Sequence, residues 1–361
     1  MSKILIMTNH SYMLYRFRLE LIQELRKAHE VVLSMPFVGH EEDFQALGIR
    51  CIQTEVDRRG MNPKTDFRLF LTYRELLKAE QPDMVITYSI KPNVYGGLAC
   101  RMAGVPYCAN VQGLGTAFQK RGLARLVTVL YKLALGKAHT VFFENEANAA
   151  EFRSRKIVPA EKETVLPGAG INLERYPYVP YPENQVMHFL YLGRLMKEKG
   201  IDELFAAMER LHEKGGSSVI LDLVGFYDDE SYKGQVERLV ARGIAVYQTD
   251  PLPYYAAADC VVLPSYHEGM SNVLLEAAAV GRPVITSDIP GCREAVEDGK
   301  TGLLCRARDT GSLYEKMRRM ACASFAERQS MGQAAHEKMV REFDKRRVIS
   351  ATLSAAFGAA K

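Results

Sequence analysis

Short apolar runs alternate with amphipathic stretches along most of the chain. Runs at 4–8, 31–34, 50–53, 84–87, 107–111 and 140–143 have the length and branched side chains of buried strands. Between them, 16–27, 67–79, 93–102 and 122–135 repeat apolar residues at helical spacing. At Tyr176-Pro-Tyr-Val-Pro-Tyr-Pro182 the pattern breaks, because three prolines in seven residues suit neither helix nor central strand, and a linker is expected there. The alternation then restarts, with strands at 186–192, 219–224, 245–247, 260–263 and 284–286 and helices at 201–211, 232–241 and 271–280. The tail, 324–361, is helical in composition. This order predicts an α/β protein of two doubly wound, Rossmann-like domains, 1–180 and 181–340, facing each other across a cleft.

Composition changes that picture little. A chain of 361 residues, 47% hydrophobic and 25% charged, is large enough for two ordinary cores. Seven scattered cysteines without a Cys-x-x-Cys pair favour a reducing compartment over a disulfide frame or zinc site. The opening Lys3-Ile-Leu-Ile-Met7 is too short for a signal peptide, and no apolar run is long enough to span a bilayer, so a cytoplasmic location is expected. Charge is more informative. Residues 1–183 hold 24 basic and 19 acidic side chains, the remainder 23 and 24, and 101–140 holds six basic residues and no acidic one.

Candidate chemistry gathers in the second half. Strand Cys260-Val-Val-Leu263 leads through Gly269 into a helix at 271–280, stopped by Gly281 and Pro283. Such a helix start binds anions through its free N–H groups, so Met270, Ser271 and Asn272 are expected to offer backbone donors to a phosphate, with Val273 beside them. Glu268 lies in the turn, and Glu276 one turn beyond Asn272 on the same face. Carboxylates beside a phosphate site make sense if they bind hydroxyls, as a nucleotide sugar requires; equally, Glu276 could pair with a surface cation and Glu268 could cap the helix. A second strand ends at Gly193-Arg194, with Lys199-Gly200 following. Arg194 can grip a diphosphate through its planar fork and Lys199 adds a point charge. A solvated basic turn is the plain alternative. Gly225 follows the 219–224 strand and should lie near the same ligand.

Gly193-Arg194…Lys199-Gly200 and Glu268-Gly269…Glu276, the latter a Glu-x7-Glu pattern, resemble the retaining family 4 glycosyltransferases of GT-B fold. Tyr88-Ser-Ile-Lys-Pro-Asn93 and Val111-Gln-Gly-Leu-Gly-Thr-Ala-Phe118 narrow the likeness to bacterial enzymes of capsular, surface-polysaccharide and lipid-linked glycan assembly. The resemblance implies transfer of a hexose or N-acetylhexosamine from a nucleotide sugar, expected to be UDP-linked, to a polyprenyl-diphosphate-linked saccharide. It assigns Arg194, Lys199 and Glu268 to catalysis and Gly193, Gly225, Gly269 to Val273 and Glu276 to the donor. It also implies that the last helix, within 341–361, returns to the first domain. No Asp-x-Asp pair follows a strand end, since Asp228-Asp229 lacks the spacing, so neither metal nor cofactor is expected.

On the acceptor side, His10, Lys91, Gln112, Gly113 and Gly115 follow strand ends of the first domain. The family's glycine-rich first loop is replaced here by Asn9-His-Ser-Tyr12, and the histidine that many relatives carry near Gln112 is absent. On a helical wheel Arg121, Arg125 and Lys132 fall within about 40° of one another, opposite a broad apolar arc of Leu123, Leu126, Val127, Leu130 and Ala134. This is a core helix with a solvated basic face, or a helix lying on an anionic inner-leaflet surface, which would make the protein peripheral there. No nucleic-acid motif is present. A nucleotide-sugar epimerase of the same fold, or a non-catalytic nucleotide-sugar-binding subunit, are the alternatives to a transferase.

Overall fold

The computed structural model describes every residue except 59, 61, 115–117, 119–120, 216–217, 249–253 and 359–361, together with the side chain of Arg121 excluded. It forms two compact units, 1–169 with 348–361, and 170–347.

The first unit carries strands β1 (Ser2–Met7), β2 (His29–Met35), β3 (Arg50–Gln53), β4 (Met84–Tyr88), β5 (Tyr107–Val111), β6 (Thr140–Phe143) and β7 (Glu163–Val165). Its first six helices are α1 (Ser11–Arg26), α2 (Glu41–Ala46), α3 (Pro63–Glu80), α4 (Gly97–Ala103), α5 (Arg121–Leu135) and α6 (Glu146–Ser154). The strands pair in parallel in the order β3-β2-β1-β4-β5-β6-β7. Both faces of such a sheet are covered, so its inner strands are near-continuous apolar runs rather than alternating, whereas the edge strands β3 and β7 keep polar residues. In β1, Leu5 and Met7 enter the core on one face, and Ile4 and Ile6 that on the other. Helix α1 starts at Ser11, earlier than its apolar spacing suggests, and is anchored by Arg18, whose guanidinium meets Glu144 at 2.7 Å with both side chains largely buried.

The second unit carries β8 (Met187–Leu192), β9 (Val219–Val224), β10 (Ala245–Gln248), β11 (Cys260–Leu263), β12 (Val284–Ser287) and β13 (Gly302–Cys305), all parallel in the order β10-β9-β8-β11-β12-β13. Its helices are α7 (Ile201–Gly215), α8 (Lys233–Ala241), α9 (Tyr254–Ala257), α10 (Asn272–Ala279), α11 (Thr310–Cys322) and α12 (Phe325–Lys338). The last helix, α13 (Lys345–Phe357), packs on the first unit: Val348 and Ala356 join Cys108, Phe142 and Leu166, and Thr140 Oγ1 donates to Ala355 O at 3.0 Å.

The proline-rich segment 176–182 is not a free linker but part of the second unit. Tyr176 and Tyr181 are buried, and Arg282, with 0% of its surface exposed, donates to Val179 O and Pro180 O and to Tyr255 O and Ala256 O. Proline supplies no N–H, but its carbonyl still accepts, and these carbonyls are what a buried guanidinium needs.

Candidate functional site

In a doubly wound sheet ligands bind beyond the carboxyl ends of the strands, where the strand order reverses. In the second unit that point lies between β8 and β11. The two loops that follow them are locked together. Tyr266 N donates to Glu198 O at 2.9 Å, and a Cβ on Gly200, at φ +72°, would stand 2.1 Å from Pro264 O. Only glycine allows that approach. The lock brings Lys199 Nζ to 2.5 Å from Glu268 Oε1, which Ser265 Oγ also reaches at 2.7 Å. Glu268 therefore neither caps the helix nor stands alone: its carboxylate is held against a cation. Arg194 lies half-exposed across from Asp228 at 3.5 Å, and its carbonyl accepts from the buried Tyr191 hydroxyl at 2.7 Å. Gly193 and Gly225 end β8 and β9 side by side; a Cβ on Gly225, φ +151°, would fall 1.9 Å from Gly193 O. Beneath the turn, Cys292 is fully buried, and that burial, with the Glu268 charge, raises its thiol pKa.

Helix α10 begins beside this pair. Ser271 is its N-cap, with no side-chain capping bond. The Ser271 N–H is not a free donor, contrary to expectation: it bonds Gly291 O at 2.9 Å, in the loop after β12. The first N–H to bond back into the helix is that of Leu275, to Ser271 O at 3.2 Å. Asn272, Val273 and Leu274 thus have no intrahelical acceptor. Of these, Asn272 and Val273 are partly exposed, whereas Leu274 and the preceding Met270 are buried. The N–H groups left open and partly exposed at this helix start are therefore those of Asn272 and Val273, about one residue further on than the sequence suggests. Glu276 is 3% exposed, too deep for a surface pair, and its Oε2 accepts from the Tyr255 hydroxyl at 2.8 Å. Sequence reasoning passes over Ser265, Tyr255, Arg282 and Gly291. Ser265 stands inside the motif stretch, but the others reach the site only through the fold.

In the first unit the order reverses between β1 and β4. His10, the N-cap of α1, follows β1; its buried Nδ1 has no hydrogen-bond partner among the described residues, and burial, with Arg58 nearby, lowers its pKa. Lys91, after β4, is engaged by Asp66 at 2.6 Å, both side chains mostly buried, and is not a free phosphate ligand in this state. Gln112 Nε2 reaches Met13 Sδ at 3.5 Å and Gly113 follows it, while Gly115 lies outside the described residues. Helix α5 departs from its wheel. Ala124, Val127, Tyr131, Ala134 and Leu135 are its buried face, but Leu126, Val129 and Leu133 are 57%, 53% and 48% exposed, alongside exposed Arg125 and Lys132. Leu126 is therefore not a core residue. The Arg121 side chain lies outside the described residues.

Two family models match this chain: a glycosyl transferase 4-like domain over residues 16–169 and glycosyl transferases group 1 over 187–322. A curated relative, the N,N'-diacetylbacillosaminyl-diphospho-undecaprenol alpha-1,3-N-acetylgalactosaminyltransferase of Campylobacter jejuni, is 29% identical over 84% of this chain and 85% of its own length. The UDP-Gal:alpha-D-GlcNAc-diphosphoundecaprenol alpha-1,3-galactosyltransferase of Escherichia coli is 27% identical over 73% of this chain and 72% of its own. Among solved structures, HepE of Anabaena in complex with UDP and glucose superposes with a TM-score of 0.81 at 18% identity, covering 98% of this chain and 100% of that one. With both halves matched and the fold shared, the chain belongs to the group 1, family 4-like glycosyltransferases of GT-B fold.

Proposed function

We propose that this enzyme transfers a hexose or N-acetylhexosamine from a nucleotide sugar, UDP-linked, to a polyprenyl-diphosphate-linked saccharide, with retention at the anomeric carbon and without a metal ion. The observation that carries the reading is the Lys199–Glu268 contact of 2.5 Å beside the open start of α10. A nucleotide sugar joins an anionic diphosphate to a ring of hydroxyls through one bond, and a cation touching a carboxylate matches that junction. In the reaction the bond from the anomeric carbon to the phosphate oxygen breaks, and its electron pair leaves with the diphosphate. An acceptor hydroxyl oxygen bonds the same carbon, and its proton passes to the departing diphosphate oxygen or to water. Charge grows on the leaving diphosphate, so fixed positive potential there lowers the barrier. Arg194, Lys199 and the N–H groups of Asn272 and Val273 supply it. Glu268 holds the sugar and Glu276 the ribose hydroxyls. The acceptor and donor base are carried over from the two curated relatives, whose names specify diphospho-undecaprenol acceptors and, for one, UDP-Gal.

Location belongs to the same proposal. No helix among the described residues is long and apolar enough to cross a membrane, yet the acceptor is lipid-linked. The exposed leucines and valine of α5, next to Arg125 and Lys132, suit an amphipathic helix resting on an anionic leaflet.

Donor consumption measured with and without lipid-linked acceptor, and with EDTA, tests the reading. Consumption should depend on acceptor and survive chelation. Conversion of donor to a stereoisomer without acceptor would support the epimerase instead, and loss of activity on chelation, restored by magnesium, would overturn metal independence.

A further inference from the structure

The rim of the first unit holds a run of rings that the donor chemistry does not use. His10 and Tyr12 have centroids 6.1 Å apart; Tyr12 and His40 are at 5.5 Å; and His40 lies flat on Tyr15 at 4.2 Å with an interplanar angle of 3°. Tyr15 meets Phe44 edge-on at 5.5 Å, so the run is rooted in the core. His40 sits at φ +66°, a left-handed backbone costly for a residue with a Cβ, and Asp43 holds its Nδ1 at 2.6 Å. Tyr12 is 41% exposed, and its hydroxyl accepts from Arg16 at 3.2 Å. One exposed tyrosine is ordinary. An exposed tyrosine is less ordinary when it is backed by a strained histidine and sits beside His10, whose buried Nδ1 has no partner among the described residues, at the reversal of strand order. Tyr12 and His40 are tilted 40° to each other, so the exposed ring that remains is that of Tyr12; such a pre-ordered ring suits the C–H face of a pyranose, whose hydroxyls project from the ring edge.

We propose that the exposed Tyr12 ring, steadied by His40 behind it, is the stacking face of a subsite for the acceptor's pyranose ring. The inference rests on the saccharide-acceptor reading above. The test uses saturating nucleotide sugar and four acceptors, diphospho-undecaprenol carrying N-acetylglucosamine, N-acetylgalactosamine, galactose or glucose, with kinetics taken on whichever turns over fastest. Tyr12→Ala should raise the acceptor KM about tenfold, the scale of one lost aromatic contact. Tyr12→Phe, which keeps the ring and loses the Arg16 bond, should stay near the wild-type KM, whereas Tyr12→Leu should resemble the alanine variant. His40→Asn, a residue that tolerates left-handed backbone, should raise KM in the same direction. An unchanged acceptor KM in Tyr12→Ala, or rescue by leucine as good as by phenylalanine, would overturn the stacking subsite while leaving the transferase reading intact. Turnover of none of the four by wild type would sink the acceptor reading and this subsite with it.

Discussion

At the scale of single residues the site is a set of charges held by contacts from afar. Arg194 is partly exposed and only loosely paired with Asp228, so it is available to a diphosphate. Arg194→Ala should lower turnover at saturating donor by about 10²-fold, as loss of one charge-stabilising donor does; wild-type turnover would remove it from the site. Which residues carry charge was legible in the chain, because Arg, Lys and Glu stood after strand ends and a glycine turn. Which of their atoms remain open was not. The Ser271 N–H is consumed by Gly291, twenty positions away, and the Lys91 ammonium by Asp66, and neither pairing has a local signal. Glu276 shows the same limit: its spacing from Asn272 gives the helix face, while only the fold supplies the Tyr255 hydroxyl.

Among the elements, strands made of branched apolar runs were read with their bounds intact, as in β5, β6, β9 and β11. Short elements at the sheet edges carried too little pattern. Strand β7 is three residues, one a glutamate, and α2 and α9 are six and four residues long. The wheel of α5 shows why composition alone misassigns faces: its apolar arc is wider than the core beneath it. Leu126, Val129 and Leu133 are left outside, next to the basic stripe rather than opposite it. This division makes a prediction with two separable parts. Exchanging Arg125 and Lys132 for glutamate should abolish the salt-sensitive part of binding to anionic vesicles, since each basic residue near such a surface is worth about 1 kcal/mol. Exchanging Leu126, Val129 and Leu133 for serine should remove the part that persists at high salt. Co-sedimentation unchanged in both variants would take α5 off the membrane.

For the whole molecule, the alternation of short apolar runs with helical patterns was enough to read two doubly wound sheets, because burial on both faces makes most of their strands near-continuous apolar runs. The path of the chain between the units was less legible. The prolines of 176–182 read as a break, whereas the fold uses the Val179 and Pro180 carbonyls of that segment to partner Arg282. Helix α13 completes the first unit, covering Cys108, Phe142 and Leu166. Removing residues 348–361 should therefore destabilise the first unit by at least about 3 kcal/mol, since one fully buried branched side chain is worth about 1.5–3 kcal/mol. Hydrogen exchange should show protection lost in β5 and β6 and kept in β8 to β11; equal loss in both sheets would contradict this. The central claim is that the strand-reversal site of the second unit moves a sugar from nucleotide to lipid-linked saccharide. It is tested most directly by following a radiolabelled sugar from a panel of UDP-sugars into the lipid fraction. The account predicts lipid-extractable label for at least one donor with the wild type, and its near loss with Arg194→Ala; label that stays water-soluble with every donor, or equal transfer by the variant, would contradict it.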